Sequence, residues 1–480
     1  MSAAQVPPLN LLTRLSYGVG QISDGVKQAS FSTFLFFYYN QVLGLSGSLA
    51  GMAALLALLV DAITDPMVGQ LSDRFNSRWG RRHPFMLAGA IPFGLAMVAL
   101  FSPPAGLGET GLFCWMLGGA ISVRLMLTLF FVPHLSLGAE LVSDYHGRTS
   151  LIGFRVFFTY AGILITSVAG FALFFPPSEA YSNGMLNRAS YPNFGLFCAV
   201  LGTLGMLLSV FGTRKAIPYL SKPVNHSGQG NALLAFITVF RTLKQFSFRI
   251  LFLSVLMFNT LAGVVGTLLV YVATYVFDFK PEQLAGLASS VLVGILFASP
   301  VAQALSRRFD KKIALAVCVI TGGLFAFSPQ VLYFAGLLDQ FSITGKFAFV
   351  FSVNGISQVF FIAYIILLDS MLSDVIDEHE LHSGKREEGL FFAARSFATK
   401  ASYGLGSFFA GIGLDIIHFP RAATPDNVPA EAVLSLAILS GPVMFILFAA
   451  TVVLSGRYPL TASKHRQIMQ DIRSAESPLV

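Results

Sequence analysis

The chain has 480 residues, of which 55% are hydrophobic and only 11% are charged, and its mean hydropathy is +0.71. Apolar runs longer than the ~18 residues that a helix needs to cross a bilayer predict an all-α integral membrane protein, and exclude a membrane barrel, whose strands alternate polar and apolar residues. The net charge of +7 comes from basic connections between these runs, so we expect no binding of nucleic acid.

Twelve apolar segments follow one another along the chain in two groups of six. They lie at about 15–40, 47–71, 84–103, 111–140, 150–175 and 193–213, and at about 248–277, 283–305, 312–336, 344–372, 389–417 and 432–456. Lys and Arg collect in the short connections 73–83 and 307–312, which the positive-inside rule places in the cytoplasm together with both termini. Because a basic connection follows the second span of each group, the sequence predicts two related bundles.

The predicted organisation has four parts. They are an N-terminal six-helix bundle over 1–215, a cytoplasmic linker over 216–247, a C-terminal six-helix bundle over 248–457 and a cytoplasmic tail over 458–480. Pro and Gly residues in the linker mark the hinge between the halves. In such a duplicated architecture we expect a substrate to bind near the middle of the membrane, between the bundles.

Two aspartates lie one helical turn apart in the second apolar span. Asp61 and Asp65 share one helix face, and Thr64 adds a hydroxyl to it. A carboxylate in hydrocarbon costs several kcal/mol, so this face should line a wet cavity and bind a cation. Such hard oxygen ligands suit Na⁺, Li⁺ or H⁺. The alternative is a structural pair neutralised by Lys400 or by a helix end.

Two basic residues lie within other apolar spans. Lys400 lies ten residues after Leu390, where a mainly apolar segment begins, and is too deep to reach the interface by snorkelling. We interpret it as a partner of the aspartates that replaces the cation when the site is empty, or as a permanent salt bridge. For Arg124 in the fourth span, a role at the substrate site and a structural or snorkelling role are equally open.

The first span has one polar helix face. Gln21, Asp24, Gln28 and Phe31 follow helical spacing, and Lys27 lies beside Asp24. Side chains that each hydrogen-bond two hydroxyls are those that sugar recognition requires. The alternative is a local ion pair between Asp24 and Lys27 without a ligand.

Five sequence landmarks resemble one transporter family. They are Tyr17–Gly20, Phe37–Asn40 with Leu43–Ser46, Asp61–Pro66, Arg78–Pro84, and the stretch from Val132–Pro133 through Ala139–Leu141, Asp144, Arg148 and Arg155. With Lys400, they resemble the glycoside-pentoside-hexuronide:cation symporters, a branch of the major facilitator superfamily that includes the melibiose permease. This resemblance implies the major facilitator fold in a bacterial inner membrane. It also implies import of a sugar or glycoside with Na⁺ or H⁺ by alternating access, with no cofactor beyond the ion.

The same resemblance assigns roles to individual residues. It places the coupling cation at Asp61, Thr64 and Asp65, with Thr128 as a further ligand and Lys400 as the family's lysine. Arg155 corresponds to the arginine that organises the sugar site. The predicted substrate residues are Asp24, Lys27, Gln28, Phe131, Arg155, Tyr160, Tyr364 and Ser396.

Three positions depart from the melibiose permease. Thr64 replaces an Asn, Gly25 replaces the galactoside-binding Asp, and Phe131 replaces an acid in the fourth span. A galactoside pattern is therefore incomplete, and stacking on a sugar ring would depend on Tyr or Phe side chains. His134 is a candidate proton site, or else a hydrogen-bonded packing residue.

Cytoplasmic charges are predicted to gate the transporter. These residues are Asp73, Arg78, Arg81, Arg82, Asp144 and Arg148. Ion pairs among them would close the inner face, and breaking them would favour the inward-open state. The alternative is that they only orient the chain in the membrane.

Two other functions stay open. Thr between the two acids resembles the motif of the related lysophospholipid symporters of animals, and with the many Phe residues this resemblance implies, as an alternative, a transporter of an amphipathic lipid such as a lysophospholipid. A non-transporting membrane sensor belongs to a different class. No nucleophile arrangement, metal-ligand spacing or phosphate-binding loop indicates an enzyme. We expect a monomer whose partners are a small-molecule substrate and membrane lipid.

Overall fold

The computed structural model describes residues 10–75, 77–141, 145–181, 183–219, 240–385, 387–421, 423–424 and 427–476. Every regular element in these ranges is a helix, which confirms the predicted all-α fold. A helix satisfies its backbone hydrogen bonds within one segment, as the hydrocarbon of a bilayer demands. The helices of the first half are α1 (Leu11–Val19), α2 (Ile22–Ala29), α3 (Gly47–Arg74), α4 (His83–Leu100), α5 (Glu109–Leu141), α6 (Tyr145–Ala169) and α7 (Ser190–Gly212).

The second half continues with nine α-helices in its described part. They are α8 (Phe246–Tyr271), α9 (Pro281–Ser289), α10 (Val291–Arg308), α11 (Lys311–Phe334), α12 (Ile343–Ser383), α13 (Glu388–Ile416), α14 (Ala430–Ser440), α15 (Pro442–Gly456) and α16 (Ala462–Glu476). Ten helical segments among the described residues are long and apolar enough to cross a membrane. The predicted eleventh span forms α13 but falls outside these ten, because polar residues such as Arg395 and Lys400 interrupt its apolar sequence.

The predicted first span is not one regular helix. It contains α1, α2 and two π-helical segments, Ser30–Leu35 and Tyr38–Val42. π-helical turns are rare and occur frequently at functional sites. A second break lies in the predicted twelfth span, where Pro442 lacks the N–H that would continue α14 into α15.

The chain forms two compact units. The N-terminal unit comprises Met1–Ala232, Lys280–Ala285 and Leu414–Val428, and the C-terminal unit comprises Leu233–Phe279, Gly286–Gly413 and Pro429–Val480. The predicted bundle boundaries did not anticipate the two short segments of the N-terminal unit. Most of the predicted linker, 220–239, lies outside the described residues.

One of these short segments caps a helix within the N-terminal unit. The carboxylate of Asp415 accepts hydrogen bonds from the backbone N–H groups of Gly47 (2.9 Å) and Ser48 (2.8 Å) at the start of α3. Arg421 donates to the carbonyl oxygen of Gly44 at 3.0 Å. An acidic side chain stabilises a helix N-terminus by satisfying its unpaired N–H groups.

The predicted tail forms α16, which packs against α12 in the C-terminal unit. The backbone N–H of Ala462 donates to Asp310 at 3.1 Å, and His465 lies 3.0 Å from the carboxylate of Asp377. The first turn of α16 is therefore docked onto the unit by polar contacts.

Candidate cation and substrate sites

Helices α3 and α5 bring together three of the predicted cation ligands. The Thr128 hydroxyl lies 2.9 Å from Asp61 Oδ1 and also 2.9 Å from Asp65 Oδ1. Asp61 and Thr128 are buried, at 8% and 3% exposure. Since one hydroxyl carries one proton, it cannot fully satisfy two carboxylates. The arrangement therefore concentrates negative charge around a hydroxyl, as a cation site requires.

Thr64 lies on the same helix as the two aspartates, and its role as a cation ligand stays a prediction. Its hydroxyl donates to the backbone carbonyl of Asp61 at 3.3 Å, within the same helix turn. This local bond uses the hydroxyl proton and leaves the oxygen lone pairs of Thr64 available to a cation.

Arg124 belongs to the same cluster, which the sequence left open. Its Nη1 atom lies 3.4 Å from Asp61 Oδ2, and its guanidinium carbon lies 5.1 Å from the centre of the Phe31 ring. Arg124 precedes Thr128 by one turn of α5, so both side chains reach the face of α3 that carries Asp61. The i, i+4 spacing of Arg124 and Thr128 was the available sequence signal.

The polar face of α2 forms the predicted local ion pair. Lys27 Nζ lies 2.9 Å from Asp24 Oδ1, and Gln28 Nε2 donates to Asp24 Oδ2 at 2.7 Å. Both oxygens of Asp24 thus have partners on its own helix. Gln28 is exposed, while Asp24 and Lys27 are only partly so. A substrate hydroxyl could bind this cluster by joining or replacing these bonds.

Gln21 and His134 serve packing instead. His134 Nε2 lies 2.9 Å from the carbonyl oxygen of Tyr17, and Gln21 Nε2 lies 3.0 Å from His134 Nδ1. The His134 and Tyr17 rings stack with centroids 4.2 Å apart. A neutral ring that donates from Nε2 and accepts at Nδ1 satisfies every bond, so the structure places His134 in the packing role.

The remaining predicted substrate residues of this unit have partly exposed side chains. Arg155 lies on α6, where it contacts the Tyr17 hydroxyl. Phe131 on α5 and Tyr160 on α6 are also half-buried. These placements leave all three able to contact a ligand.

In the C-terminal unit, Tyr364 disagrees with its predicted role. It is 1% exposed, its hydroxyl donates to the carbonyl oxygen of Ser254 at 3.2 Å, and its ring stacks on Phe258 at 4.0 Å. No ring face is left for a sugar. Ser396 is exposed and Lys400 half-buried, one turn apart on α13.

A cavity of about 430 Å³ lies within the C-terminal unit, which the sequence did not reveal. Its lining is mostly apolar and includes no Asp, Glu, Lys, Arg or His among the residues described. Four side-chain amides face it, from Asn259, Gln330, Asn354 and Gln358. Asn354 and Gln358 lie one turn apart on α12 and make no hydrogen bond to the described protein. Their i, i+4 spacing in an apolar run was the signal that could have identified them.

The predicted gating charges form part of a network in the N-terminal unit. Glu140 Oε1 lies 2.6 Å from Arg81 and 3.2 Å from Arg82, and Arg82 also pairs with Asp73 at 2.5 Å. Arg78 is exposed and makes no ion pair within the described chain. Asp144 and the side chain of Arg148 lie outside the described residues.

The helical fold and its buried charged cluster define a multi-pass membrane transporter rather than an enzyme. The sequence profile of a family described as MFS/sugar transport protein matches residues 16–462. The chain belongs to this family, which confirms the predicted resemblance.

Curated relatives support this assignment. The putative glycoside/cation symporter YagG of Escherichia coli is 27% identical over 468 residues, covering 97% of this chain and 95% of the relative. The lactose permease of Lactobacillus delbrueckii is 24% identical, covering 97% of this chain and 73% of the relative. The isoprimeverose transporter of Lactiplantibacillus pentosus is 25% identical, with coverages of 83% and 79%.

Solved structures share the fold. A bacterial homologue of the human lysosomal transporter Spinster superposes with a TM-score of 0.64 at 14% identity, covering 96% of this chain and 97% of that structure. The inward-open xylose transporter XylE of E. coli gives a TM-score of 0.60 at 14% identity, with coverages of 95% and 98%. The predicted major facilitator fold is thereby confirmed.

Proposed function

We propose that this chain imports a sugar or glycoside together with Na⁺ or H⁺ by alternating access, and that Asp61 and Asp65 hold the coupling ion. The names of YagG, the lactose permease and the isoprimeverose transporter support a sugar or glycoside as cargo. A relative described as the inner membrane symporter YicJ of E. coli supports the same membrane for this chain. The observation that carries the proposal is the pair of carboxylates around Thr128, of which Asp61 is buried and Asp65 half-buried.

The ion site uses oxygen chemistry. Four carboxylate oxygens of Asp61 and Asp65 and the hydroxyl of Thr128 are hard donors, which suit a small monovalent ion or a proton. Two carboxylates this close repel each other unless a positive charge intervenes. Arg124, 3.4 Å from Asp61, offsets part of that repulsion, and an entering ion offsets more of it, which favours filling of the site. No cofactor beyond this ion is needed.

Coupling follows from linkage between two sites. If the bound ion stabilises the conformation that binds substrate, the substrate must strengthen ion binding by the same factor. We infer that Asp24, Lys27, Gln28 and Arg155 form the part of the substrate site in the N-terminal unit. Their charged and amide groups can exchange their present bonds for bonds to sugar hydroxyls.

The cavity lined by Asn259, Gln330, Asn354 and Gln358 is our candidate for substrate contacts in the C-terminal unit. A cavity whose described lining has no ionised side chain favours an uncharged ligand. The amides of Asn354 and Gln358, which have no hydrogen bond to the described protein, favour a ligand with hydroxyl groups. We therefore infer that an uncharged sugar or glycoside, rather than an ionised one, binds there.

Removing two of these amides tests the inference. We expect Asn354→Ala combined with Gln358→Ala to raise the KM for sugar roughly tenfold, because each lost hydrogen bond contributes about 0.5–1.5 kcal/mol. Initial rates of sugar uptake measure this change. The matched control is Ser352→Ala on the same helix, whose hydroxyl is exposed and bonds its own backbone at Ala348. An unchanged KM in the double variant would contradict a substrate role for the cavity.

The network around Glu140 is our candidate for part of a cytoplasmic gate. One carboxylate oxygen serves both Arg81 and Arg82, while the other oxygen is buried and lacks a hydrogen-bond partner among the described residues. An incompletely satisfied charge network can reopen at moderate cost, as a gate must.

Proteoliposomes test the transport proposal directly. Purified protein is reconstituted, and an inward Na⁺ or proton gradient is applied with radiolabelled lactose, isoprimeverose or a phenyl glucuronide outside. We expect at least one of these sugars to accumulate above its equilibrium level, and a gradient-collapsing ionophore to abolish accumulation. Light scattering in detergent checks the expected monomer.

Two outcomes would replace the proposal. Uptake of lysophosphatidylcholine with no uptake of any sugar would assign the amphipathic-lipid function instead. The absence of both gradient-driven uptake and counterflow of all these compounds would contradict the proposed cargo and favour the sensor alternative.

A further inference from the structure

A positively charged side chain lies beside the two aspartates of the ion site. Arg124 Nη1 contacts Asp61 Oδ2 at 3.4 Å, and the side chains of both residues are about nine-tenths buried, with 10% and 11% exposure. The site therefore contains a cation of the protein's own as well as the place for a mobile one.

This ion pair is incomplete. At 3.4 Å it exceeds the usual 2.7–2.9 Å of a strong charged hydrogen bond, unlike the 2.9 Å pair of Lys27 and Asp24. The Arg124 Nε atom is buried without a hydrogen-bond partner in the described part of the chain. A guanidinium held loosely in this way can leave Asp61 at a smaller cost than a fully bonded one.

Other groups also attract the guanidinium where it lies. It lies over the Phe31 ring, where a cation is attracted to the ring face. The charges of Asp24 and Asp65 attract it as well as that of Asp61. Arg124 thus lies within the electrostatic reach of both the ion site and the acid of the α2 face.

We propose that Arg124 is a resident cation that competes with the coupling ion for Asp61, and so sets how tightly a monovalent metal ion binds. The inference rests on the proposed function of this site. An entering Na⁺ must displace the guanidinium from Asp61 Oδ2, because one oxygen cannot give its full charge to two cations. The resident charge weakens Na⁺ binding, and only an ion able to displace the guanidinium can drive substrate transport.

Equilibrium binding of ²²Na⁺ to the purified full chain tests this competition without requiring transport. We expect Arg124→Gln to lower the Kd for Na⁺ at least about tenfold, because it removes a like charge beside the bound ion. Arg124→Met, which keeps the apolar stem, should do the same and provides a second neutral variant. Arg124→Lys keeps the charge and should stay near wild type.

A matched control isolates the site. Arg249→Gln removes another arginine that lies over a ring, that of Phe246, at 5.4 Å. It should leave the Kd for Na⁺ unchanged. Asp61→Asn should abolish binding in every background, which shows that the measured ion occupies this site.

The results distinguish a failure of the proposed competition from a failure of the proposed transport function. If neither neutral variant binds Na⁺ more tightly than wild type, the competition is overturned, whichever ion drives the wild-type protein. If instead the proposed function fails, the wild-type protein shows no gradient-driven uptake, while a gain of Na⁺ binding in Arg124→Gln still supports the competition.

Discussion

Replacing either Asp61 or Asp65 by Asn is expected to abolish accumulation driven by a cation gradient while the protein stays in the membrane. Asn keeps the shape and one acceptor oxygen for Thr128 but removes a full negative charge. One unit charge at roughly 4 Å contributes about 4 kcal/mol at an effective dielectric constant of about 20. We therefore expect apparent cation affinity to fall about a hundredfold or more.

Proteoliposome uptake under an imposed gradient measures this loss, with immunoblots to equalise the amount of protein. Asp339→Asn is the control, because Asp339 is 75% exposed and its single ion pair with Lys346 contributes little. Undiminished uphill uptake in both variants would show that the two carboxylates do not hold the coupling ion.

The sequence predicts this fold well because a bilayer imposes a simple rule. Apolar runs of sufficient length become helices, and basic connections stay in the cytoplasm. The i, i+4 spacing of Asp61 and Asp65 likewise places both acids on one face of α3 without any tertiary information. Where a Gly or Pro interrupts a run, as before Pro442, the hydropathy pattern does not register the break.

Features that depend on packing between helices were harder to predict. Whether Arg124 reaches Asp61 depends on how α5 is rotated against α3, which the sequence of one helix does not contain. Tyr364 is an aromatic residue within a predicted span, where a ring that stacks on sugar is expected, yet its contacts with Ser254 and Phe258 bury it. Asp415 caps α3 across more than 360 positions of sequence, a contact that no local pattern indicates.

The close packing around Gly25 explains why this chain lacks the Asp that the melibiose permease has at this position. This residue lies where α2 crosses α6, and a Cβ atom there would collide with the carbonyl oxygen of Thr159. It would also lie 2.8 Å from the backbone nitrogen of Ile163 and 2.9 Å from the Cα atom of Gly162. Because these are backbone atoms, no side-chain rotation relieves the clash. An acid at position 25 is therefore incompatible with this helix crossing.

Gly25→Ala is expected to destabilise the protein strongly, although Ala normally favours a helix over Gly by about 0.5–1 kcal/mol. Overpacking typically costs about 1–3 kcal/mol. A clash between the added Cβ atom and the rigid backbone of α6 should reach the upper end of that range. Separating α2 from α6 would also displace Asp24 and Arg155, so uptake should fall together with stability. Thermal unfolding in detergent and sugar uptake measure the two effects.

Gly153→Ala on α6 is the matched control for this change. A Cβ atom at position 153 meets nothing within 4 Å, so the substitution should leave packing intact and slightly favour the helix. We expect Gly25→Ala to lower the unfolding temperature well below that of wild type and Gly153→Ala to leave it unchanged or raise it slightly. If the two alanines behaved alike, the close contact between α2 and α6 would not hold the polar face of α2 in place.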